Sequence, residues 1–241
     1  ITQGFIGRGL NHKNTTLGRE GSDYTAAIFA YALDAESVTI WKDVEGIMNA
    51  DPRKFENAVL IPKLSYNEAI ELAYYGASVI HPKTIQPLKN KKIPLYVKSF
   101  LDMNTPGTEV VENDSRTLNE TQCYIVKENQ SLITIASKDF SFIVEDNLEI
   151  IFNAINTAGL QLNLMQNSAI SFMACFNEDA KKAEHLTALL KERFEVGMKS
   201  DNTLLTIFNY NETNSEVRQI IGDRATILEQ KSSSALQLLL N

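Results

Sequence analysis

Only two cysteines occur in 241 residues, Cys123 and Cys175, and both stand in apolar stretches. That excludes a disulfide framework and fits buried thiols in a reducing compartment. No apolar run reaches the roughly 20 residues that cross a bilayer as a helix, and no secretory signal is legible at the front. Basic clusters are scarce too: Lys and Arg number 23 against 30 Asp and Glu, for a formal charge of −7. Nucleic acid is therefore not the expected partner. What remains is a chain with 44% hydrophobic and 22% charged residues, ordinary for one large or two modest globular domains and expected in the cytoplasm. It opens "ITQGFIG", with neither Met nor a leading loop, and the expectation is a piece of something longer.

Up to about Lys98 helices and strands are expected to alternate. A helix from Asp23 to Leu33 is followed by the strand "SVTIW" at 37–41. In "SYNEAIELAYYGAS", Ser65 and Glu68 form the S-x-x-E of a capping box. "SVI" at 78–80 reads as a strand or short connector ending in His81-Pro82, and the helix "KTIQPLKN" and strand "IPLYV" follow. Continuously apolar strands separated by helices predict a parallel sheet covered on both faces, with ligands beyond the carboxyl ends of its strands.

Residues 99–120 are polar and turn-rich, with Pro106-Gly107 marking a bend, and read as a linker. Beyond it the rhythm changes. "LITIA" at 132–136, "LQLNLMQ", "SFMACF" and the alternating Phe194, Val196 and Met198 read as strands. Helical spacing of Leu148, Ile151, Phe152 and Ile155, and an amphipathic stretch at 178–193, supply two helices. The order βαββαβ is that of a ferredoxin-like unit. Strands at 121–127, 203–209, 225–231 and 234–240, with a short helix near 213–222, read as a second unit into which the first is inserted, giving two stacked sheets.

Two polar clusters stand out in the first half. In "TTLGREGSDYTA", Gly18 and Gly21 precede a run of helix formers. Glycines ahead of a helix let backbone N–H groups turn toward an anion, and Ser22 is a natural N-cap. An ordinary capped, glycine-rich connection fits the local pattern equally. The second cluster, "WKDVEGIMNADPRK" at 41–54, places Lys42 and Asp43 at the end of an apolar strand, then Gly46 and Arg53. A cation, an acid, a glycine and an arginine at a strand end suit a nucleotide, or a loop of solvated charges. One helix and one strand separate the clusters, so both are expected on one sheet edge. His81, between apolar residues and before a proline, is expected to be structural.

Taken in order and spacing, "GFIG…TTLGREGSDYTA", "WKDVEGIMNADPR" and "GASVIHP" resemble the carboxyl-terminal lobe of aspartate kinases, in the amino-acid kinase superfamily. The resemblance implies an α/β fold with a parallel-sheet lobe over 1–111, followed by two α+β ferredoxin-like ACT units: 130–199 inserted into a reduced unit made of 112–129 and 200–241. It implies transfer of the γ-phosphoryl of Mg-ATP to the β-carboxylate of L-aspartate, with ATP and phosphate-bound Mg2+ as cofactors. Arg19 matches the residue holding the aspartate carboxylate, Ser22 lines the same pocket, and Asp23 matches the acid that orients the catalytic lysine and substrate. Lys42, Asp43, Gly46, Met48 and Arg53 fall on the ATP loop, and Ser78 stands where many relatives have a second phosphate-contacting lysine. Lys83 or Lys42 are the substitutes for it.

The family's Lys-Phe-Gly-Gly segment is not within residues 1–241, so this stretch alone is expected to have negligible kinase activity. Met48 replaces a common tyrosine near the adenine, and the last ACT-like unit ends without its second helix. An amino-acid effector is implied at the ACT units, with Asn163, Asn167 and Ser168 as its candidate contacts, lysine as first choice and threonine next. Ala169 stands where relatives often place a glutamate; Asp139 and Glu145 could supply charge. A homodimer through the ACT units is implied, with no metal ligands of the chain's own. The alternatives are an amino-acid-sensing dimerisation module without catalysis, or another amino-acid kinase such as one acting on glutamate.

Overall fold

The computed structural model describes residues 1–77, 79–112, 121–139, 141–211 and 216–241. Internal contacts divide the chain into two units, Ile1–Ile125 and Val126–Asn241.

In the first unit a hairpin of β1 (Ile6–Arg8) and β2 (Asn14–Thr16) leads into α1 (Gly21–Leu33) and β3 (Val38–Lys42). A long loop, β4 (Lys63–Ser65), α2 (Tyr66–Tyr75), α3 (Pro82–Lys91), β5 (Leu95–Ser99) and β6 (Thr108–Val111) follow. The capping box forms as read: Glu68 N–H donates to Ser65 Oγ at 3.1 Å, and Ser65 N–H donates to the Glu68 carboxylate at 2.7 Å. Left-handed Gly76 closes the other end of α2. His81 is the N-cap of α3, its Nδ1 accepting from Lys83 N–H at 3.1 Å, ahead of a proline at the first helical position.

Three expectations are corrected here. The sheet is not purely parallel: its order is β3-β5-β6-β4, with β3·β5 and β4·β6 parallel and β5·β6 antiparallel. The stretch read as a linker supplies β6, whose Thr108 and Val110 are fully buried; residues 113–120 of that stretch lie outside the described residues. Ser22 does not cap α1. The N-cap is Glu20 in a left-handed conformation (φ 57°), the helix begins at Gly21, and no side chain caps it. Residues 79–80 form a turn, the connector of the two alternatives read there.

In the second unit one sheet of six strands runs β11-β12-β10-β7-β9-β8. Its elements are β7 (Cys123–Ser137, entering from the first unit), α4 (Glu145–Thr157), β8 (Leu162–Asn167), β9 (Ser171–Asn177), α5 (Ala180–Leu190) and β10 (Phe194–Phe208), then α6 (Glu216–Ile221), β11 (Thr226–Lys231) and β12 (Ala235–Leu240). The two stacked sheets expected from the sequence are thus a single sheet, because two pairs of expected strands are continuous: β7 joins most of 121–127 to 132–136, and β10 joins 194–198 to most of 203–209. Each long strand passes through one left-handed residue, Asn129 (φ 53°) and Asp201 (φ 61°), the residue types that tolerate this conformation best after glycine. The polar stretches there bend the strands without ending them.

One face of this sheet carries Ile133, Ile135, Phe172 and Phe176 against Ile151 and Ile155 of α4 and Leu186 and Leu190 of α5, all essentially buried. Each such side chain contributes about 1.5–3 kcal/mol by leaving water. Phe152 meets Phe172 edge-on at 5.7 Å. The other face gathers Leu132, Leu164, Cys175, Leu204, Leu228 and Leu239.

Candidate functional site

The two polar clusters meet. Lys42, the last residue of β3, donates from Nζ to Asp23 Oδ2 in the first turn of α1 at 2.7 Å. Their side chains are only 24% and 13% exposed, so the pair is screened from water more than a surface ion pair is. α1 reaches this place through a left-handed Gly18 and a packed Gly21 rather than through a side-chain cap. Gly18 takes φ 82°, and a Cβ on Gly21 would lie 2.8 Å from Leu17 Cβ and 3.0 Å from the Phe5 ring. Phe5 N–H donates to Thr25 Oγ1 at 3.0 Å, and that hydroxyl donates to Gly21 O at 2.8 Å. "GFIG" and the start of α1 are thereby bound together. With no side-chain cap, the Ser22 and Asp23 amides have no acceptor among the described residues, so the helix presents open N–H groups.

Arg19 lies in the turn just ahead of α1, exposed and without a partner among the described residues, and Ser22 is exposed on the first turn. Asp43 is exposed at the end of β3, Gly46 is buried and Met48 is half-buried. Arg53 is held by its own loop: Nε donates to Asp51 Oδ1 at 3.0 Å and Nη2 to Oδ2 at 2.8 Å. This fork holds the Asp51 carboxyl below its ordinary value. Ser78 lies outside the described residues.

Sequence reasoning missed what organises the loop after β3. Thr108, fully buried on β6, accepts from Ile47 N–H at 2.8 Å and donates to Ile61 O at 2.7 Å. Asn49 accepts from Val59 N–H at 2.8 Å and donates to Gln122 O at 3.2 Å. Nothing local marks Thr108 as the partner of a loop some 60 residues earlier. The only signal was the alternation of Thr108 and Val110 as inward residues of an unrecognised strand.

In the second unit Asn163 lies on β8, Asn167 ends that strand, and Ser168 opens the turn to β9. Ser168 Oγ is 2.6 Å from Ser171 Oγ. The turn is tied to the loop after β7, because Ile143 N–H donates to Ala169 O at 2.8 Å. In that loop Asp139 accepts from Ser137 Oγ at 2.5 Å and Ser141 N–H at 3.1 Å, bonds that hold its carboxyl below the usual range. Among the described residues no cluster of three or more His, Cys, Asp or Glu could hold a metal, and no helix is long and apolar enough to cross a membrane.

Comparison with known proteins follows this geometry. Residues 1–99 match the model of the amino acid kinase family. The chain is 32% identical over 198 residues (80% of its length) to a chloroplastic bifunctional aspartokinase/homoserine dehydrogenase 2 of Zea mays, and 38% identical over 175 residues (71%) to the lysine-sensitive aspartokinase 3 of Escherichia coli. The crystal structure of E. coli aspartokinase III with aspartate and ADP superposes over 100% of this chain with a TM-score of 0.81 at 29% identity. The chain spans 22% and 38% of the length of the two curated relatives and 56% of the solved one. Residues 1–99 are thus similar to the amino acid kinase family, and the chain is similar to part of the aspartokinases.

Proposed function

We propose that this chain supplies the aspartate- and nucleotide-binding part of an aspartate kinase, transferring the γ-phosphoryl of Mg-ATP to the β-carboxylate of L-aspartate. The observation that carries this reading is the Lys42–Asp23 contact of 2.7 Å, which joins two motifs 19 residues apart at the carboxyl end of a strand, where α/β sheets take their ligands. The acceptor is already an anion, so no general base is needed; the difficulty is bringing two anions into line, and cations and positioning meet it. Arg19, exposed and unpaired ahead of α1, is assigned to the aspartate carboxylate, with Ser22 and the open amides beside it. Asp23 holds Lys42. Asp43, Gly46, Met48 and Arg53 are assigned to the nucleotide, whose phosphates bring Mg2+.

The second unit is assigned to regulation, as two ACT-like units. Between Cys123 and Phe208 the βαββαβ order and the strand sequence β10-β7-β9-β8 support this. The effector site is placed at the Ser168 turn and the Asp139 loop it is tied to, with Asn163 and Asn167 on the strand leading in. Lysine is its first ligand and threonine its second, since the E. coli relative is named lysine-sensitive. A homodimer through these units, in the cytoplasm, completes the reading.

The test is ADP formation by the intact protein with and without L-aspartate, together with trapping of the acyl phosphate by hydroxylamine. Aspartate-dependent ADP and hydroxamate are expected, and Arg19→Ala should raise the aspartate requirement steeply. Unchanged kinetics in that variant would remove the substrate assignment; calorimetry without heat on adding lysine would remove that effector.

A further inference from the structure

The contact between Lys42 and Asp23 supports a more specific role than membership of a nucleotide loop. We infer that the Lys42 ammonium is the group of this lobe that meets the transferring γ-phosphoryl, and that Asp23 is the positioning residue that holds it there. This rests on the aspartate-kinase reading and deepens it.

Lys42 has three N–H donors. One goes to Asp23 Oδ2, and the other two have no acceptor among the described residues. The side chain is three-quarters shielded, so an arriving anion would meet it in a medium less screening than water. Asp23 offsets the cost of desolvating the ammonium and fixes its direction. The same first turn of α1 presents open amides, so positive charge and helix dipole converge on one place.

Arg53, the loop's other candidate cation, is in a different state. Its guanidinium is forked onto Asp51 and its side chain is 89% exposed. It is neutralised before any ligand arrives. Lys63, Lys91 and Lys92 pair with Glu109, Asp34 and Glu112 respectively. Lys42 is the cation paired with the acid of the other motif.

In the step itself a β-carboxylate oxygen of aspartate forms a bond to the γ-phosphorus as the bond from that phosphorus to the β,γ-bridging oxygen breaks. The electron pair of the broken bond remains on ADP, and no proton moves. Lys42 stays protonated throughout and neutralises the equatorial oxygens, a contribution that grows as charge spreads over them.

Calorimetry on the intact protein with Mg-ADP and with Mg-adenylyl imidodiphosphate, which differ by the terminal phosphoryl, tests this without turnover. Lys42→Met should weaken the imidodiphosphate complex about tenfold or more, the size of a lost charge-assisted bond, while leaving ADP within about twofold. In turnover, Lys42→Met should lower kcat about 100-fold, Lys42→Arg should recover part of it, and Asp23→Asn should lower kcat with less effect on either nucleotide's affinity. Equal weakening of both nucleotides, or a Lys42→Met enzyme with kcat near that of the unaltered protein, would overturn the role of Lys42 while leaving the kinase reading intact. An unaltered protein that binds both nucleotides but makes no aspartate-dependent ADP would overturn the reading and the inference with it.

Discussion

Asn163 has no free hydrogen-bonding end inside the sheet: its Oδ1 accepts from Lys127 Nζ at 2.8 Å, and its Nδ2 donates to Gln130 Oε1 and Asn177 Oδ1, both at 2.8 Å. The amide sits at a register shift where β8 pairs with β9, so it reaches across β9 to β7. Gln130, 1% exposed, passes the network on, accepting from Cys175 Sγ at 3.5 Å and from Asn202 Nδ2 through its backbone carbonyl at 3.1 Å. Partly satisfied buried networks are costly. Asn163→Leu should therefore destabilise the second unit by about 1–3 kcal/mol, the range for stranding buried polar partners. Chemical denaturation of the variant checks it; an unchanged midpoint would mean that water replaces the amide freely.

The same network explains part of what the sequence hid. "LQLNLMQ" was legible as a strand from its alternating leucines, yet the partners of Asn163 lie 14 to 36 residues away and leave no local trace. The gaps left between 127 and 132 and between 198 and 203 hold Asn129 and Asp201, whose left-handed conformation lets two strands continue through them. The capping box of Ser65 and Glu68 was readable because both of its bonds lie within four residues. Ser22 was misread as a cap because glycine packing starts α1 one residue before it. The approach of Lys42 to Asp23 was expected only as two motifs on one sheet edge, and the 2.7 Å contact adds the pairing.

Gly46 is required for a reason the nucleotide-loop reading did not supply. A Cβ there would lie 2.6 Å from Thr108 Oγ1 and 2.7 Å from Leu60 Cδ1, and Thr108 is the buried hydroxyl that ties Ile47 to Ile61. Gly46→Ala should push the loop off Thr108. The expected result is a loss of about 1–3 kcal/mol from overpacking together with weaker nucleotide binding. Thr108→Val keeps the volume and breaks both bonds, so it should reproduce the binding defect; normal binding in that variant would detach the loop's function from Thr108.

Alkaline pH should unfold the protein by a route that three residues share. Burial, with a lesser contribution from Glu112, pushes the Tyr66 hydroxyl up to about 12, and that hydroxyl donates to Ile93 O at 2.7 Å. Burial also pushes the Cys123 and Cys175 thiols up to about 12. Each group keeps its proton in the folded state at pH values where the unfolded chain, with Tyr near 10 and Cys near 8.5, has lost it. Their stabilising contribution is complete below the unfolded values and disappears as pH rises through about 9 to 12. Tyr66→Phe should lower the midpoint at neutral pH by the lost bond, about 1 kcal/mol, and flatten the decline between pH 10 and 12. Neither thiol should react with a disulfide reagent in the native protein at pH 8, and both should react in denaturant. A thiol that reacts in the native state would contradict its burial.

Arg53 is held differently from Lys42: its partner Asp51 lies in its own loop, whereas that of Lys42 lies in the other motif. Asp51 holds both arms of its guanidinium, and the side chain is 89% exposed, so an incoming phosphate would have to displace a carboxylate that is already in place and well aligned. An exposed pair of this kind contributes little to stability, and Arg53→Ala should leave the melting temperature within about a degree. Its effect on the ATP requirement should be smaller than that of Lys42→Met. Asp51→Asn releases the guanidinium and should tighten Mg-ATP binding if Arg53 then turns to the phosphates, a change that weakens with added salt because the site is open to solvent. A measured increase in the ATP requirement for Asp51→Asn would instead assign the Asp51–Arg53 fork to shaping the loop, since freeing the cation would then have cost more than the charge supplied.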